Sequence, residues 1–367
     1  MAPSLDDESS LFNFVVRDGN GVKGIVDSGI SKVPRPYIQP PAEQINKKNA
    51  SKCEIPPIDL SKLDGPEHDE VANQIVRAAE TLGFFQVVNH GVPIQLLDSL
   101  KQTAHNFFGL PAERKAVYRK EVSPSPLVKY GTSFVPEKEK ALEWKDYISM
   151  GYTNENEALQ QWPMECRCRD VALQYLKTSH EMVKKLLDVL MANLGVELDD
   201  SNIDAFIGKK MVNMNFYPTC PNPELTVGVG RHSDMGTLTI LLQDGIGGLH
   251  VKVPEIIDME KKEEWVEIPR IPGALVINIG DMLQFQIWSN GRYKSAEHRV
   301  RTTSTKSRVS IPIFTSPRAT QKVAPLPQVI EKDGISHYRE FLFSDYMNSF
   351  FGNAHDGKKS LDFAKIN

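Results

Sequence analysis

The chain has 367 residues, enough for a large buried core in one elaborated domain or in two closely packed ones. Its hydrophobic fraction of 40% and charged fraction of 25% are ordinary for a globular protein, and 43 Lys and Arg against 47 Asp and Glu give a net charge of −4. That balance argues against a nucleic-acid or anionic-membrane binder, which would carry a basic excess, and makes an enzyme acting on a small molecule the default.

The opening residues, Met1 to Ser10, are acidic and lack the regions of a signal peptide, and no apolar run reaches bilayer-spanning length. Cys53, Cys166, Cys168 and Cys220 are too few and too irregularly placed for a disulfide framework, so free thiols in a cytoplasmic protein are expected; a monomer is expected as well. Residues 1–54 read as a polar leader followed by a Pro-rich extended connector from Val33 to Pro41. A short strand is predicted over 55–60. Val71, Ile75, Ala78, Ala79 and Leu82 recur at helical spacing over 69–82, and Gly83 ends the run. A strand over 84–89 follows, then a helix from Pro93 to Phe108 with the proline in its first turn. A long helix is predicted over 171–194, with Val183, Leu186, Leu187, Leu190, Met191 and Leu194 as its apolar stripe and Gly195 as its stop. Residues 55–207 thus form a helical N-terminal region.

Beyond residue 208 the texture changes to short apolar or alternating runs separated by Gly and Pro, at 211–217, 237–243, 248–253, 265–268, 274–279, 293–299 and 308–314. Regularly spaced short strands indicate a β-sandwich or jelly roll, here over 208–320. A helix over 338–351 lies in the C-terminal stretch 321–367. The expected class is mainly β with flanking helices.

His232 and Asp234 are two residues apart, so on a strand or at its mouth both side chains point the same way, as a chelating pair requires. With His298 from a distant strand they make two imidazoles and one carboxylate, the facial set that holds a non-heme Fe(II) and leaves coordination positions open. Arg308 and Ser310 repeat the same-face spacing, and a guanidinium beside a hydroxyl suits the far carboxylate of a small diacid. Asn213, Asn215 and Tyr217 share one strand face, and Phe314 shares a face with Arg308 and Ser310.

The stretches 215–223, 227–244, 290–300 and 308–314, which carry these residues, together resemble the plant 2-oxoglutarate- and Fe(II)-dependent dioxygenases. The resemblance implies a helical N-terminal region wrapped around a double-stranded β-helix (jelly roll) whose mouth holds the iron. It implies Fe(II) as cofactor, 2-oxoglutarate and O2 as co-substrates, ascorbate as reductant, and succinate and carbon dioxide as co-products. Arg308 and Ser310 would grip the far carboxylate of 2-oxoglutarate, with Tyr217 and Asn215 supporting it by hydrogen bonds. The blocks 11–24, 129–136, 141–147 and 354–359 are similar to the coumarin-pathway branch, whose ring hydroxylases act on hydroxycinnamoyl-CoA thioesters and on free coumarins. Hydroxylation of a free coumarin at C8 is the expectation, with ortho-hydroxylation of feruloyl- or p-coumaroyl-CoA as the alternative. A catalytically silent metabolite-binding protein on the same fold is opposed by the intact ligand and anchor residues. A flat phenolic substrate requires an apolar slot, for which Phe314, Asn213, Tyr130, Phe134 and Trp144 are the candidates.

Two places depart from the family pattern. The hairpin over 252–264 is longer and more charged, and the run 283–290 holds two additional residues around Phe285 and Gln286. An even insertion preserves the alternation of strand faces, so His298 is still expected to face the metal.

Overall fold

The computed structural model describes residues 7–45, 51–52, 55–133, 141–199, 202–257, 260–284, 288–352 and 362–366. Strands in chain order are β1 (Ser51–Lys52), β2 (Ile58–Asp59), β3 (Phe84–Val88), β4 (Val128–Gly131), β5 (Asp146–Tyr152), β6 (Lys209–Tyr217) and β7 (Val229–His232). They continue with β8 (Leu238–Gln243), β9 (Leu249–Ile257), β10 (Glu260–Glu267), β11 (Leu275–Ile279), β12 (His298–Val300) and β13 (Arg308–Ser316). An eight-stranded sheet runs β2-β3-β11-β8-β13-β6-β5-β4, and a five-stranded sheet runs β1-β10-β9-β12-β7.

Side-chain parity divides the core in two. Leu275, Ile277, Leu238, Ile240, Val309, Ile311, Val212 and Met214 point out from the large sheet into the main cluster, against the helices His68–Thr81, Ile94–Phe108 and Cys168–Asn193. The opposite parity, Val276, Leu241, Tyr217 and Phe84, meets Val229, Leu249, Val251, Val266 and Val300 of the small sheet inside the barrel. Central strands are therefore buried on both faces; all five residues of β11 are buried. The three helices match the sequence expectation to within a few residues, and the jelly-roll core with its helical N-terminal region stands.

Several elements differ from the sequence reading. The supposed polar leader holds the helices Glu8–Phe12 and Gly21–Asp27. Leu11 and Val15, then Val22 and Ile25, lie one helical turn apart and bury against Tyr37, Leu142, Trp144 and Cys220. The strand at 55–60 shrinks to Ile58–Asp59 because Pro56 and Pro57 have no N–H to give a ladder. Pairing over 293–299 begins only at His298, since buried Tyr293 instead donates its hydroxyl to the Leu190 carbonyl at 2.6 Å. The C-terminal helix starts at Phe343, because Phe341–Leu342 pairs with Lys322–Val323. Strands β1, β4 and β5 have no counterpart in the sequence reading, β7 is anticipated there only as the strand or strand mouth carrying His232, and residues 285–287 lie outside the described ones.

His250, on β9, is 2% exposed, and burial pushes its imidazole down from 6.5 to about 4. Between these values the unfolded chain binds more protons than the folded one. Stability is therefore expected to fall as pH is lowered through that window, by roughly 3 kcal/mol at full extent. His250→Gln is expected to flatten this dependence. Denaturant midpoints at pH 7 and pH 4.5 test it; equal pH sensitivity in the variant and the parent would count against it.

Candidate active site

The antiparallel register of β7 and β12 sets His298 directly opposite His232, with ring centroids 4.2 Å apart. Asp234 follows two residues after His232, and its Oδ1 lies 3.8 Å from His232 Nε2 and 3.6 Å from His298 Nε2. One ligand atom from each residue falls within 4.8 Å of the others, the single such convergent group of His, Cys, Asp or Glu among the described residues. His232 Nδ1 donates to the Gly230 carbonyl at 2.8 Å, and His298 Nδ1 to the Ala296 carbonyl at 3.1 Å. Both Nε2 lone pairs are thereby turned into the triangle.

The carboxylate is held with equal care. Asn278 Nδ2 donates to Asp234 Oδ2 at 3.3 Å, and the Asp281 N–H to the Asp234 carbonyl at 2.7 Å. Asp281 in turn accepts from Ser295 Oγ and from the Tyr346 hydroxyl, each at 2.8 Å, which ties the C-terminal helix Phe343–Gly352 to this loop. Gly236 is required by close approach, since a Cβ there would lie 2.2 Å from the Thr315 carbonyl oxygen.

Arg308 and Ser310 lie on the interior face of the large sheet. Arg308 pairs with Tyr217 across β13 and β6, and Ser310 with Asn215 on one side and Gln243 on the other. The Arg308 side chain is 0% exposed. Its Nη2 donates to Gln243 Oε1 at 2.9 Å, and its guanidinium carbon stands 5.0 Å from the centre of the Tyr217 ring. Nε and Nη1 are buried without a hydrogen-bond partner among the described residues. Such donors are costly to leave unpaired, so the site suits an anion. Ser310 Oγ lies 3.4 Å from both Asn215 Nδ2 and the Tyr217 hydroxyl.

Two nitrogens and one oxygen converging within 4.8 Å fit a divalent first-row metal ion, and the free donors of Arg308 fit a carboxylate. Residues 208–317 match the model of the 2OG-Fe(II) oxygenase superfamily, and residues 55–166 that of the non-haem dioxygenase in morphine synthesis N-terminal family. Scopoletin 8-hydroxylase of Arabidopsis thaliana is 64% identical over 366 residues, covering 100% of this chain and 99% of the relative. The chain belongs to the 2OG-Fe(II) oxygenase superfamily. Fe(II), 2-oxoglutarate and O2 are accordingly its cofactor and co-substrates. A feruloyl CoA ortho-hydroxylase of Ipomoea batatas is 49% identical over 361 residues, 98% of each chain. Among solved structures, JOX2 in complex with 2OG, Fe and JA superposes with a TM-score of 0.80 at 31% identity, covering 94% of this chain and 97% of that one.

The oxygenase fold brings His232, Asp234 and His298 together, and separately Arg308, Ser310, Tyr217 and Asn215. Asn213 shares the interior face with Asn215, and its Oδ1 is buried without a hydrogen-bond partner among the described residues. Phe314 lies on the same face of β13, half-buried, opposite Met211 and Thr239. Two expected wall residues are corrected. Tyr130 packs with Ile148 and Met150 in the helix-side core, and Trp144 packs edge-on against Tyr37 at 5.0 Å in the N-terminal cluster. Both have the outward parity. Phe134 lies outside the described residues, as does the block 354–359. Sequence reading missed Tyr147, directly opposite Asn215 on the interior face, and the partners Asn278 and Gln243. Alternation along 146–152 was the signal available for Tyr147.

Proposed function

We propose that this oxygenase hydroxylates scopoletin at C8 to give fraxetin, with succinate and carbon dioxide as co-products. The convergence of a three-ligand metal triangle with the half-paired, fully buried guanidinium of Arg308 carries the co-substrate reading. The 64% identity to scopoletin 8-hydroxylase along the whole chain, against 49% to the feruloyl CoA ortho-hydroxylase, supports the choice of substrate.

In this reading His232, Asp234 and His298 hold Fe(II), which when bound supplies the redox chemistry of dioxygen activation. The chain's own residues supply alignment. Gly230 and Ala296 fix the imidazole tautomers, and Asn278 orients the Asp234 carboxylate. Arg308 and Ser310 bind the far carboxylate of 2-oxoglutarate, while Tyr217 shields the guanidinium and, with Asn215, holds the Ser310 hydroxyl. Phe314, Asn213 and Tyr147 line the substrate slot. The 7-oxygen of scopoletin donates electron density to C8, so the slot has only to bring that edge toward the metal. Ascorbate serves as reductant, and the enzyme works as a cytoplasmic monomer. No helix among the described residues is long and apolar enough to cross a membrane.

Side-by-side incubation of purified protein with Fe(II), 2-oxoglutarate and either scopoletin or feruloyl-CoA, read by mass spectrometry, tests the substrate. An 8-hydroxylated coumarin formed at least about tenfold faster than any thioester product is expected, a difference of roughly 1.4 kcal/mol in the barrier. Turnover of feruloyl-CoA with scopoletin untouched would reverse the assignment.

A further inference from the structure

The buried ion pair of Glu143 and Lys145 lies against the strand that carries His232. Both residues are under 10% exposed, and Lys145 Nζ reaches Glu143 Oε2 at 2.8 Å. Burying such a pair contributes little stability over apolar residues of the same shape, so its placement calls for another reason. Strand β7 is the last strand of the small sheet, paired with β12 on one side. An edge strand leaves N–H groups on its open side. The Gly230 N–H on β7 donates to Glu143 Oε1 at 2.8 Å, so a side-chain carboxylate takes the place of a neighbouring strand. Beside it, the Trp144 N–H donates to the Val227 carbonyl at 2.8 Å. The carbonyl of that same Gly230 holds His232 Nδ1. One residue thus joins Glu143 to the imidazole.

Alternation along 142–147 gives this strap two duties. Leu142 and Trp144 pack into the N-terminal cluster, and the Asp146 carboxylate accepts the N–H groups of Val22 and Lys23 at 2.7 and 2.9 Å. Glu143 and Lys145 have the other parity and serve the barrel. Ser133 Oγ accepts the Glu143 N–H at 2.9 Å, and Thr132 Oγ1 donates to the Lys145 carbonyl at 2.8 Å, so the strap is fixed from its far side as well.

We infer that Glu143 is a positioning residue for His232, acting through Gly230, and that Lys145 neutralises and aims its carboxylate. The inference rests on the reading of His232, Asp234 and His298 as metal ligands. Outer partners of metal-bound imidazoles typically change metal affinity by about 10–100-fold when lost. The test is titration of the metal-free full-length protein with Co(II), followed by its visible d–d absorption, a readout independent of turnover. Two double variants remove both buried charges and differ in one acceptor: Glu143→Gln with Lys145→Met keeps an oxygen for the Gly230 N–H, and Glu143→Leu with Lys145→Met does not. The first is expected to bind Co(II) within about threefold of the parent with the same band shape, and the second about tenfold or more weaker with altered bands. Glu143→Asp keeps the charge on an arm one methylene shorter, and is expected to behave like the second. Affinity for 2-oxoglutarate at saturating metal is expected to stay within about twofold in all three, since the anchor residues are untouched. Equal Co(II) affinity and spectra in the Gln and Leu variants, with circular dichroism showing both folded, would overturn the role of Glu143; should either double variant not fold, Co(II) binding by Glu143→Asp equal to that of the parent would do the same. His232→Ala serves as the control, because unchanged Co(II) binding there would remove the ligand assignment itself.

Discussion

Replacing His232, Asp234 or His298 by Ala is expected to reduce turnover by roughly a thousandfold or more while leaving the fold in place. Each substitution removes one of three ligand atoms from a triangle whose members lie within 4.8 Å of one another. Metal assistance supplies several kcal/mol of transition-state stabilisation, which is the origin of the estimate. The remaining scaffold does not depend on those side chains. Strand β12 still pairs with β9 through His298, Arg299 and Val300, and the interior cluster around Val229, Val251 and Val300 is intact. Succinate formation, bound iron and far-ultraviolet circular dichroism are the measurements. Near-parent activity in any one of the three would remove that residue from the ligand set.

Arg308→Lys is expected to raise the apparent KM for 2-oxoglutarate by roughly 10–100-fold, the worth of one lost charge-assisted hydrogen bond of about 1.5–3 kcal/mol. Lysine keeps the charge and loses the planar donors. The ammonium also gives up the contact to Gln243 Oε1 at 2.9 Å and the stacked approach to Tyr217 at 5.0 Å. The KM for the aromatic substrate is expected to change by no more than about twofold, because the coupling passes only through shared positioning. Initial rates with each ligand varied in turn separate the two. Equal losses for both ligands, or none, would show that Arg308 is not the anchor.

Much of the site was legible as short-range pattern. His232 with Asp234, and Arg308 with Ser310, are pairs two residues apart, and a strand puts such pairs on one face whatever surrounds it. The helices over His68–Thr81 and Cys168–Asn193 announced themselves by apolar residues at helical spacing. The N-terminal helices did not, because Leu11, Val15, Val22 and Ile25 are few and lie among polar residues, and only docking against Trp144 and Tyr37 buries them. Helices this short have little stability of their own.

What the sequence determined by itself, then, was an inventory of candidate chemistry and its local phase: which residues could ligate a metal, which could pair with an anion, and which of their neighbours share a face. Only the tertiary structure decided which phase faces inward and which distant strands become neighbours. Tyr130 on β4, Tyr147 on β5 and Trp144 in the bend just before β5 are all aromatic, yet Tyr147 alone has the interior parity, through its register with Asn215. His298 meets His232 because β12 is hydrogen-bonded between β9 and β7, a long-range pairing. Glu143 finds Gly230 because β7 ends its sheet and leaves an N–H to satisfy. Local covalent geometry repeats every two residues along a strand and can be read in one dimension. The choice of partner is made by burying both faces of the sheet at once, and that requires the whole chain.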